Sequence, residues 1–179
     1  MHYFSKFILF TVFRWRIVGV FPKNIKKYIV IGAPHTSWLD FPLGILLRSI
    51  TKTNIHFVGK KALFKYPQGI FFRWAGGFPV DRSRSNNTVE ALADKFKQED
   101  QFILGISPEG TRKKAEKWKT GFYYIAKLAE IPIVKVAFDF KHKQIIIDTA
   151  FYPTDNTEQD LSNLKSFYKG IQGRHAELS

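Results

Sequence analysis

The stretch YIVIGAPHTSWLD, residues 28–40, decides the fold, because an apolar run ends there in a proline and a histidine. Residues 28–33 predict a buried strand and residues 40–50 predict a helix. A strand that delivers His35 to its carboxyl end, with Asp40 nearby to orient the ring, provides the geometry of a general base. Side chains five residues apart on a helix differ by about 140° around its axis. The pair can therefore meet only if His35 precedes the helix and Asp40 lies in its first turn.

The same stretch also has a purely structural interpretation. Residues 37–40 follow the Ser-x-x-acid pattern of a capping box. Asp40 could then simply cap the helix, and His35 could be an ordinary loop residue. The pair alone leaves both interpretations open, and its meaning depends on two later segments.

The first of these segments, GGFPVDRSR, covers residues 76–84 and follows the turn after an aromatic-rich stretch. Its glycines let the backbone approach a ligand closely. Arg82 and Arg84 follow an extended run, and guanidinium groups bind phosphate oxygens in a bidentate manner. Taken alone, the segment is also typical of a solvated turn with a surface ion pair.

The second segment, SPEGTR, covers residues 107–112 and directly follows the apolar strand predicted over 102–106. Its polar residues would lie at the carboxyl end of that strand, where open α/β sheets bind ligands. Gly110 frees backbone N–H groups to face an anion, and Arg112 can neutralise the charge. A plain Pro-Glu-Gly turn is the structural alternative.

Strands and helices alternate along the rest of the chain, which predicts a single-domain α/β protein. We expect a mixed sheet of about six to seven strands with helices on both faces. The predicted strands cover residues 28–33, 55–58, 77–80, 102–106, 132–138 and 144–150. The predicted helices cover residues 40–50, 86–98 (capped by Asn86 or Asn87), 121–130 and 157–171, with short helical pieces over 61–74. No repeat or linker divides residues 23–179.

Residues 1–22 predict an N-terminal amphipathic helix at a membrane interface. The segment from Met1 to Leu39 contains six Lys/Arg and no acid, and the whole chain carries a net charge of +13. Arg14 and Arg16 interrupt the apolar run, which argues against a signal peptide, and the chain lacks the roughly 18 uncharged apolar residues of a transmembrane helix. A helix packed on the domain's own core is the alternative, and the two are compatible.

The charge and the residue types narrow the classes of function. Such a positive balance implies a partner rich in negative charge, such as an anionic membrane, nucleic acid or an acidic substrate or carrier. The absence of cysteine excludes disulfides, thiolate catalysis and cysteine-type zinc sites. The histidines other than His35 show no metal-ligand spacing, so we expect no metal.

Four ordered blocks resemble those of the glycerolipid acyltransferases, the family typified by 1-acylglycerol-3-phosphate (lysophosphatidic acid) acyltransferase. His35 and Asp40 match the His-x4-Asp block, and Gly77 to Arg82 match the second block. The third block is matched by residues 108–112, with Lys119 and Gly121 where it usually continues, and the fourth by residues 131–134. Together the blocks span about residues 30–136.

The resemblance implies a membrane-associated enzyme that moves a fatty acyl group from an acyl thioester to a lysophospholipid hydroxyl. The donor would be acyl-CoA or acyl carrier protein, the acceptor 1-acylglycerol-3-phosphate, and no further cofactor is expected. His35 would act as general base and Asp40 would orient it. The residues implied for the acceptor phosphate are Arg82, Arg84, Glu109, Gly110, Thr111 and Arg112, with Lys60 and Lys61 as secondary candidates.

Other functions remain open from the residues alone. Within the same class, the acceptor could be another lysolipid or an acylated amino acid. A different class is a non-enzymatic binder of anionic membrane or nucleic acid. The cations are spread along the chain rather than concentrated on one element, which favours the enzyme and argues against nucleic acid. We expect a peripheral or monotopic protein on the cytoplasmic side of a membrane, and leave its oligomeric state open.

Overall fold

One mixed sheet forms the centre of the molecule. The computed structural model describes residues 2–80, 85–112, 114 and 117–178, and the side chains of all of these except residues 60, 80 and 85–87. The strands within the described residues are β1 (Arg16–Val18), β2 (Lys27–Ala33), β3 (Ile55–Lys60), β4 (Gly77–Val80), β5 (Phe102–Ile106), β6 (Ile133–Asp139) and β7 (Gln144–Phe151).

The strand order in space is β1-β7-β6-β2-β5-β3-β4. Neighbouring strands are parallel except for β6 and β7, which form an antiparallel hairpin. The carboxyl ends of β6, β2, β5, β3 and β4 therefore meet at one edge of the sheet. Because β2 and β5 pair directly, the loops that follow them are neighbours in space although they are far apart in sequence.

Helices connect these strands. The α-helices of the described residues are α1 (His2–Lys6), α2 (Asp40–Thr51), α3 (Gln68–Trp74), α4 (Ser85–Gln98), α5 (Gly121–Leu128) and α6 (Thr157–Ser166). A π-helical segment, Phe7–Val12, continues α1, and 3-10 helices cover Lys61–Phe64 and Ala176–Leu178.

Alternation along the strands separates two hydrophobic cores, one on each face of the sheet. Ile29 and Ile31 of β2 are fully buried against α4, α5 and α6. Val30, the residue between them, faces the opposite core with Leu43 and Leu47 of α2. Such period-two burial on both faces is what a central parallel strand requires. Leu9, in the π-helical segment, joins the second core, so the N-terminus packs on the α2 side.

The predicted α/β class and mixed sheet are confirmed, but the N-terminal helix is shorter than predicted. Helical structure ends at Val12, Arg14 has a φ of +55°, and residues 16–18 form edge strand β1 beside β7. The prediction of one helix over 1–22 was therefore wrong in extent. The interruption coincides with Arg14 and Arg16, which break the apolar run, and with Gly19, whose φ of +84° brings its backbone against Ile147.

Two further boundaries differ from the predictions. Helix α4 begins at Ser85, so Asn86 and Asn87 lie inside its first turn rather than before it. Helix α6 ends at Ser166 instead of continuing to residue 171, and the chain passes through single turns to Gly170, which has a φ of +83°. Among the described helices, none has the length and apolar character needed to cross a membrane.

Candidate active site

His35 and Asp40 lie side by side at the carboxyl edge of the sheet. Strand β2 ends at Ala33 and helix α2 begins at Asp40, so His35 lies in the turn before the helix, as the spacing required. The His35 Nδ1 atom is 2.9 Å from Asp40 Oδ2, and the Asp40 side chain is 3% exposed against 31% for His35. In the neutral ring, Nδ1–H donates to this carboxylate and the Nε2 lone pair is left to accept a proton.

Asp40 also organises the start of its own helix. The Ser37 backbone N–H donates to Asp40 Oδ2 over 3.1 Å, and the Leu39 N–H donates to Ser37 Oγ over 3.2 Å. A carboxylate in the first turn is further stabilised by the helix dipole. Capping and ring orientation, which the sequence presented as alternatives, are therefore performed by one carboxylate.

The loop after β5 reaches across to the loop that carries His35. The His35 backbone N–H donates to Glu109 Oε2 over 2.7 Å. Burial raises the pKa of the Glu109 carboxyl above its usual range, while the hydrogen bond from His35 opposes part of that rise. A half-buried carboxylate that accepts a backbone hydrogen bond is a positioning group for the His35 loop. The resemblance groups Glu109 with the residues of the acceptor phosphate, and this role stays a prediction beside the observed contact with His35.

Gly110 and Lys119 form the next layer of this loop. Gly110 has a φ of +64°, and a Cβ atom built there would lie 2.9 Å from the Lys119 side chain. The Lys119 backbone N–H donates to the Pro108 carbonyl over 2.7 Å, which holds the lysine over the glycine. Lys119 was absent from the predicted site residues, although its place after the third block was the signal that could have included it.

A cavity of about 880 Å³ adjoins these residues. Its polar lining includes His35, Asp40, Ser107, Thr111, Arg112 and Lys119, together with Arg48 and Thr88. The remaining lining is predominantly apolar and comes from α2, the sheet, α4 and α5. Along α2 the lining residues are Asp40, Phe41, Gly44, Ile45, Leu47 and Arg48, which is one face of the helix. The distance along α2 from Asp40 to Arg48 is about 12 Å at the rise of a regular helix.

Small residues keep the apolar part of the cavity open. Gly32 of β2, Gly44 of α2 and Gly105 of β5 all line it. A Cβ atom at Gly44 would meet no described atom within 4 Å outside its own helix turn and chain neighbours, so it would project into free space. A glycine in a helix interior costs about 0.5–1 kcal/mol relative to alanine. Packing does not require a glycine at position 44. The missing side chain leaves room for a ligand.

The other predicted site residues fall into three groups. Arg112 and Thr111 line the cavity, and the Arg112 side chain is exposed. Arg82 and Arg84 lie outside the described residues. Lys60 ends β3 but its side chain is not described. The exposed Lys61 begins a 3-10 helix and is not among the residues that line the cavity.

Comparisons with known proteins identify the family of the chain. The sequence profile of the acyltransferase family matches residues 16–139. The 1-acyl-sn-glycerol-3-phosphate acyltransferase of Haemophilus influenzae is 29% identical over 130 residues, which cover 69% of this chain and 52% of that protein. Human 1-acyl-sn-glycerol-3-phosphate acyltransferase beta is 30% identical over 114 residues, covering 61% of this chain and 40% of that protein. The chain thus spans about half or less of the length of these relatives.

A solved structure shows the same fold. The crystal structure of the 1-acyl-sn-glycerophosphate acyltransferase PlsC from Thermotoga maritima superposes with a TM-score of 0.64. The superposition covers 93% of this chain and 74% of that one, at 22% sequence identity.

The contact between Glu109 and His35 leads to a stability prediction. Glu109→Ala leaves the His35 N–H unpaired and is expected to lower the free energy of unfolding by about 1–3 kcal/mol. Glu109→Gln keeps an acceptor and removes a buried charge, so its stability at pH 7 should equal or exceed that of the parent. Urea unfolding followed by circular dichroism measures both variants.

The pH dependence of the stability of Glu109→Gln tests the direction of the Glu109 pKa shift. Folding raises the pKa of the Glu109 carboxyl, so the protonated carboxyl stabilises the folded parent at pH values below the ordinary Glu pKa of 4.5. The parent loses this stability as the pH rises through the raised pKa. The stability of Glu109→Gln relative to the parent should therefore increase between pH 4 and pH 7. A decrease over that interval would show that the carboxylate is stabilised in the folded state, contrary to the assigned environment.

Proposed function

Because this chain belongs to the acyltransferase family, we propose that it transfers a fatty acyl group from an acyl thioester to the hydroxyl of 1-acylglycerol-3-phosphate. The observation that carries the proposal is the His35–Asp40 contact, which lies between a cationic loop and an apolar cavity. An amphiphile with a phosphate at one end and a hydrocarbon chain at the other is complementary to such a site.

His35 is the proposed general base. Its Nε2 atom takes the proton from the acceptor hydroxyl as the oxygen attacks the thioester carbonyl carbon. The tetrahedral intermediate collapses, the carbon–sulfur bond breaks, and the thiol leaves with a proton that the imidazolium returns. Asp40 holds the ring in the Nδ1–H tautomer and stabilises the imidazolium during the reaction. Glu109 acts through the backbone of His35 and fixes the position of the ring.

The acceptor phosphate is assigned to the cationic loop after β5. Arg112 and Lys119 both line the cavity that His35 also lines. A guanidinium can bind two phosphate oxygens at once, whereas an ammonium acts as a point charge. Arg82 and Arg84 remain proposed contributors on the strength of their place in the second block.

The acyl chain is assigned to the apolar part of the cavity. The lining along α2 begins at Asp40, beside the proposed base, and continues along the same face of the helix to Arg48. A thioester carbonyl near His35 would direct its hydrocarbon chain along this face, where Gly44 leaves open space.

Membrane association is proposed to involve the N-terminal helical segment. Tyr3, Phe4, Phe7 and Phe10 are exposed there, close in sequence to the basic residues that precede His35. Aromatic rings and cations together favour a lipid–water interface, so the protein would act at the membrane surface that holds its lipid substrates. We place it on the cytoplasmic side, where its thioester donors are expected.

Replacement of the proposed base tests the reaction. His35→Ala is expected to reduce acyl transfer from acyl-CoA or acyl carrier protein to lysophosphatidic acid by about a hundredfold or more, the scale of a lost general base. The readout is formation of the diacyl product.

A second histidine provides the control for this experiment. His142, in the β6–β7 turn, also contacts an aspartate, Asp139, at 2.6 Å, but is not among the residues that line the cavity. His142→Ala should keep activity within a few-fold of the parent. Equal activity in His35→Ala and the parent would reject the mechanism, and absence of transfer to any lysolipid by the parent would reject the proposed function.

Arg112 tests the phosphate assignment. Arg112→Ala should raise the KM for lysophosphatidic acid by about tenfold, the scale of a lost charge-assisted hydrogen bond, with a smaller change in kcat. For monoacylglycerol, an acceptor of the same chain length without a phosphate, the KM should be the same in Arg112→Ala and in the parent. A KM increase of the same size for both acceptors would contradict a phosphate contact.

Gly44 tests the path of the acyl chain. Gly44→Leu places a branched side chain in the cavity and should shift the preferred donor to shorter acyl chains, with a loss of about tenfold or more for the longest donor that the parent uses well. Gly44→Ala adds a single methyl group to the same open space and serves as the matched control. Identical chain-length profiles for the Leu variant and the parent would place the acyl chain elsewhere.

A further inference from the structure

Charge is distributed unevenly along the chain. The segment from Met1 to Val80 contains 12 Lys/Arg but a single acidic residue, Asp40. That one carboxylate is buried and bound to His35. The segment from Asp81 to Ser179 contains 16 Lys/Arg and 14 Asp/Glu, and is therefore nearly neutral. Almost all of the net charge of +13 originates before Asp81.

The fold places the helices of this basic part in one layer. Leu9 and α2 share the hydrophobic core on one face of the sheet. Helix α3 joins the same layer, because the ring of Phe72 lies 5.7 Å from that of Phe41 on α2. Helices α4, α5 and α6 pack on the opposite face. The layer formed by α1, α2 and α3 is therefore cationic, and the only acid in it is internal.

Exposed apolar side chains are concentrated in the same part of the chain. Of the 17 large apolar side chains that are exposed among the described residues, 14 precede residue 81. They include the N-terminal group already considered and a second group near α3. We define the α3 patch as Tyr66, Ile70, Phe71 and Trp74, which are 85%, 64%, 49% and 54% exposed.

Helix α3 presents its apolar residues outward. Its inward side includes Gly69, where a Cβ atom would lie 2.2 Å from the Phe64 carbonyl oxygen, and Phe72, whose ring centroid lies 6.2 Å from that of Phe64. An ordinary surface helix directs its apolar stripe towards the core and its polar residues to solvent. Ile70 and Trp74 instead point towards solvent, and the apolar surface that they expose is unfavourable in water.

Cations lie close to this patch along the chain. Lys61, Lys65 and Arg73 are exposed, and no Asp or Glu occurs between residues 41 and 80. Aromatic rings among basic side chains match a bilayer surface, where the rings occupy the interface and the cations meet anionic headgroups. This charge complementarity selects an anionic lipid surface as the occupant.

The patch is connected to the cavity through ring contacts. The centroids of Phe71 and Phe41 are 6.3 Å apart, and Phe41 lines the cavity next to Asp40. Ala75, directly after α3, also lines it. A lipid surface on the patch would therefore touch the wall of the cavity that holds the proposed base.

We propose that the α3 patch is a second membrane-binding surface that inserts into an anionic phospholipid bilayer beside the cavity. It acts in addition to the N-terminal segment and rests on the proposed function only in that the substrates are lipids. Its consequence is that an acyl chain can pass between bilayer and cavity along Phe71 and Phe41.

Sedimentation with vesicles tests this proposal without any turnover. The parent, the double variant Ile70→Ser/Trp74→Ser and the control Tyr124→Ser/Tyr152→Ser are mixed with vesicles of phosphatidylcholine alone or with phosphatidylglycerol. Tyr124 and Tyr152 are 47% and 58% exposed, so their replacement removes comparable apolar surface. Both residues lie outside the α1–α2–α3 layer. The partition coefficient on anionic vesicles should fall about tenfold for the α3 variant and less than twofold for the control.

A conservative variant tests insertion directly. Trp74→Phe should keep the partition coefficient within about twofold of the parent but reduce the quenching of tryptophan fluorescence by brominated lipids, because an interfacial ring is retained while the tryptophan of the patch, one of four in the chain, is removed. Acyl transfer to a short-chain acceptor in solution, measured without vesicles, should be equal in the α3 variant and the parent.

The outcomes separate the membrane surface from the enzyme. Loss of vesicle binding with retained transfer in solution supports the proposal. Unchanged binding of the α3 variant, or unchanged quenching in Trp74→Phe, overturns it, whatever the enzymatic result. Equal binding of the parent to neutral and anionic vesicles would also overturn it, because the patch would then lack its electrostatic partner. Absence of transfer in the parent would count against the proposed function alone.

Discussion

The interaction on which the site depends is the one between Asp40 and the turn that precedes it. A single carboxylate oxygen lies 2.9 Å from the His35 ring and 3.1 Å from the Ser37 amide. The start of helix α2, the course of the turn and the orientation of the imidazole are therefore fixed together. Asp40 is nearly inaccessible to solvent: its Oδ2 atom faces these donors, whereas its Oδ1 atom is buried and has no hydrogen-bond partner among the described residues. Loss of the carboxylate would affect the helix and the ring at once.

The sheet brings the second half of the site to this turn. Strands β2 and β5 pair in parallel, so the turn carrying His35 and the loop carrying Glu109 leave the sheet at adjacent positions. The Glu109 carboxylate binds the His35 backbone, and the same loop supplies Arg112 to the cavity. Topology thus brings together an acid that binds the His35 backbone, an arginine and a largely apolar cavity. The chemistry proposed for the protein needs these three elements together.

Local patterns predicted most of this arrangement, and long-range packing accounts for the rest. The spacing of His35 and Asp40 required a turn followed by a helix, and alternation of strands and helices predicted the α/β sheet. The partner of Glu109 could not be predicted, because it depends on which strand lies next to β2. Strand β1 was missed because a three-residue edge strand leaves no periodic signal. The outward apolar face of α3 was also hidden, since its composition alone resembles that of a core helix.

The tautomer of His35 tests the central claim most directly, namely that Asp40 holds the ring with Nε2 free to accept a proton. Correlation of the imidazole nitrogens with their protons by NMR, in labelled protein at a pH where the ring is neutral, distinguishes the two neutral forms. The account predicts that His35 carries its proton on Nδ1, with Nε2 unprotonated. A ring protonated on Nε2 would contradict it, because no lone pair would then remain on the nitrogen assigned to the acceptor hydroxyl.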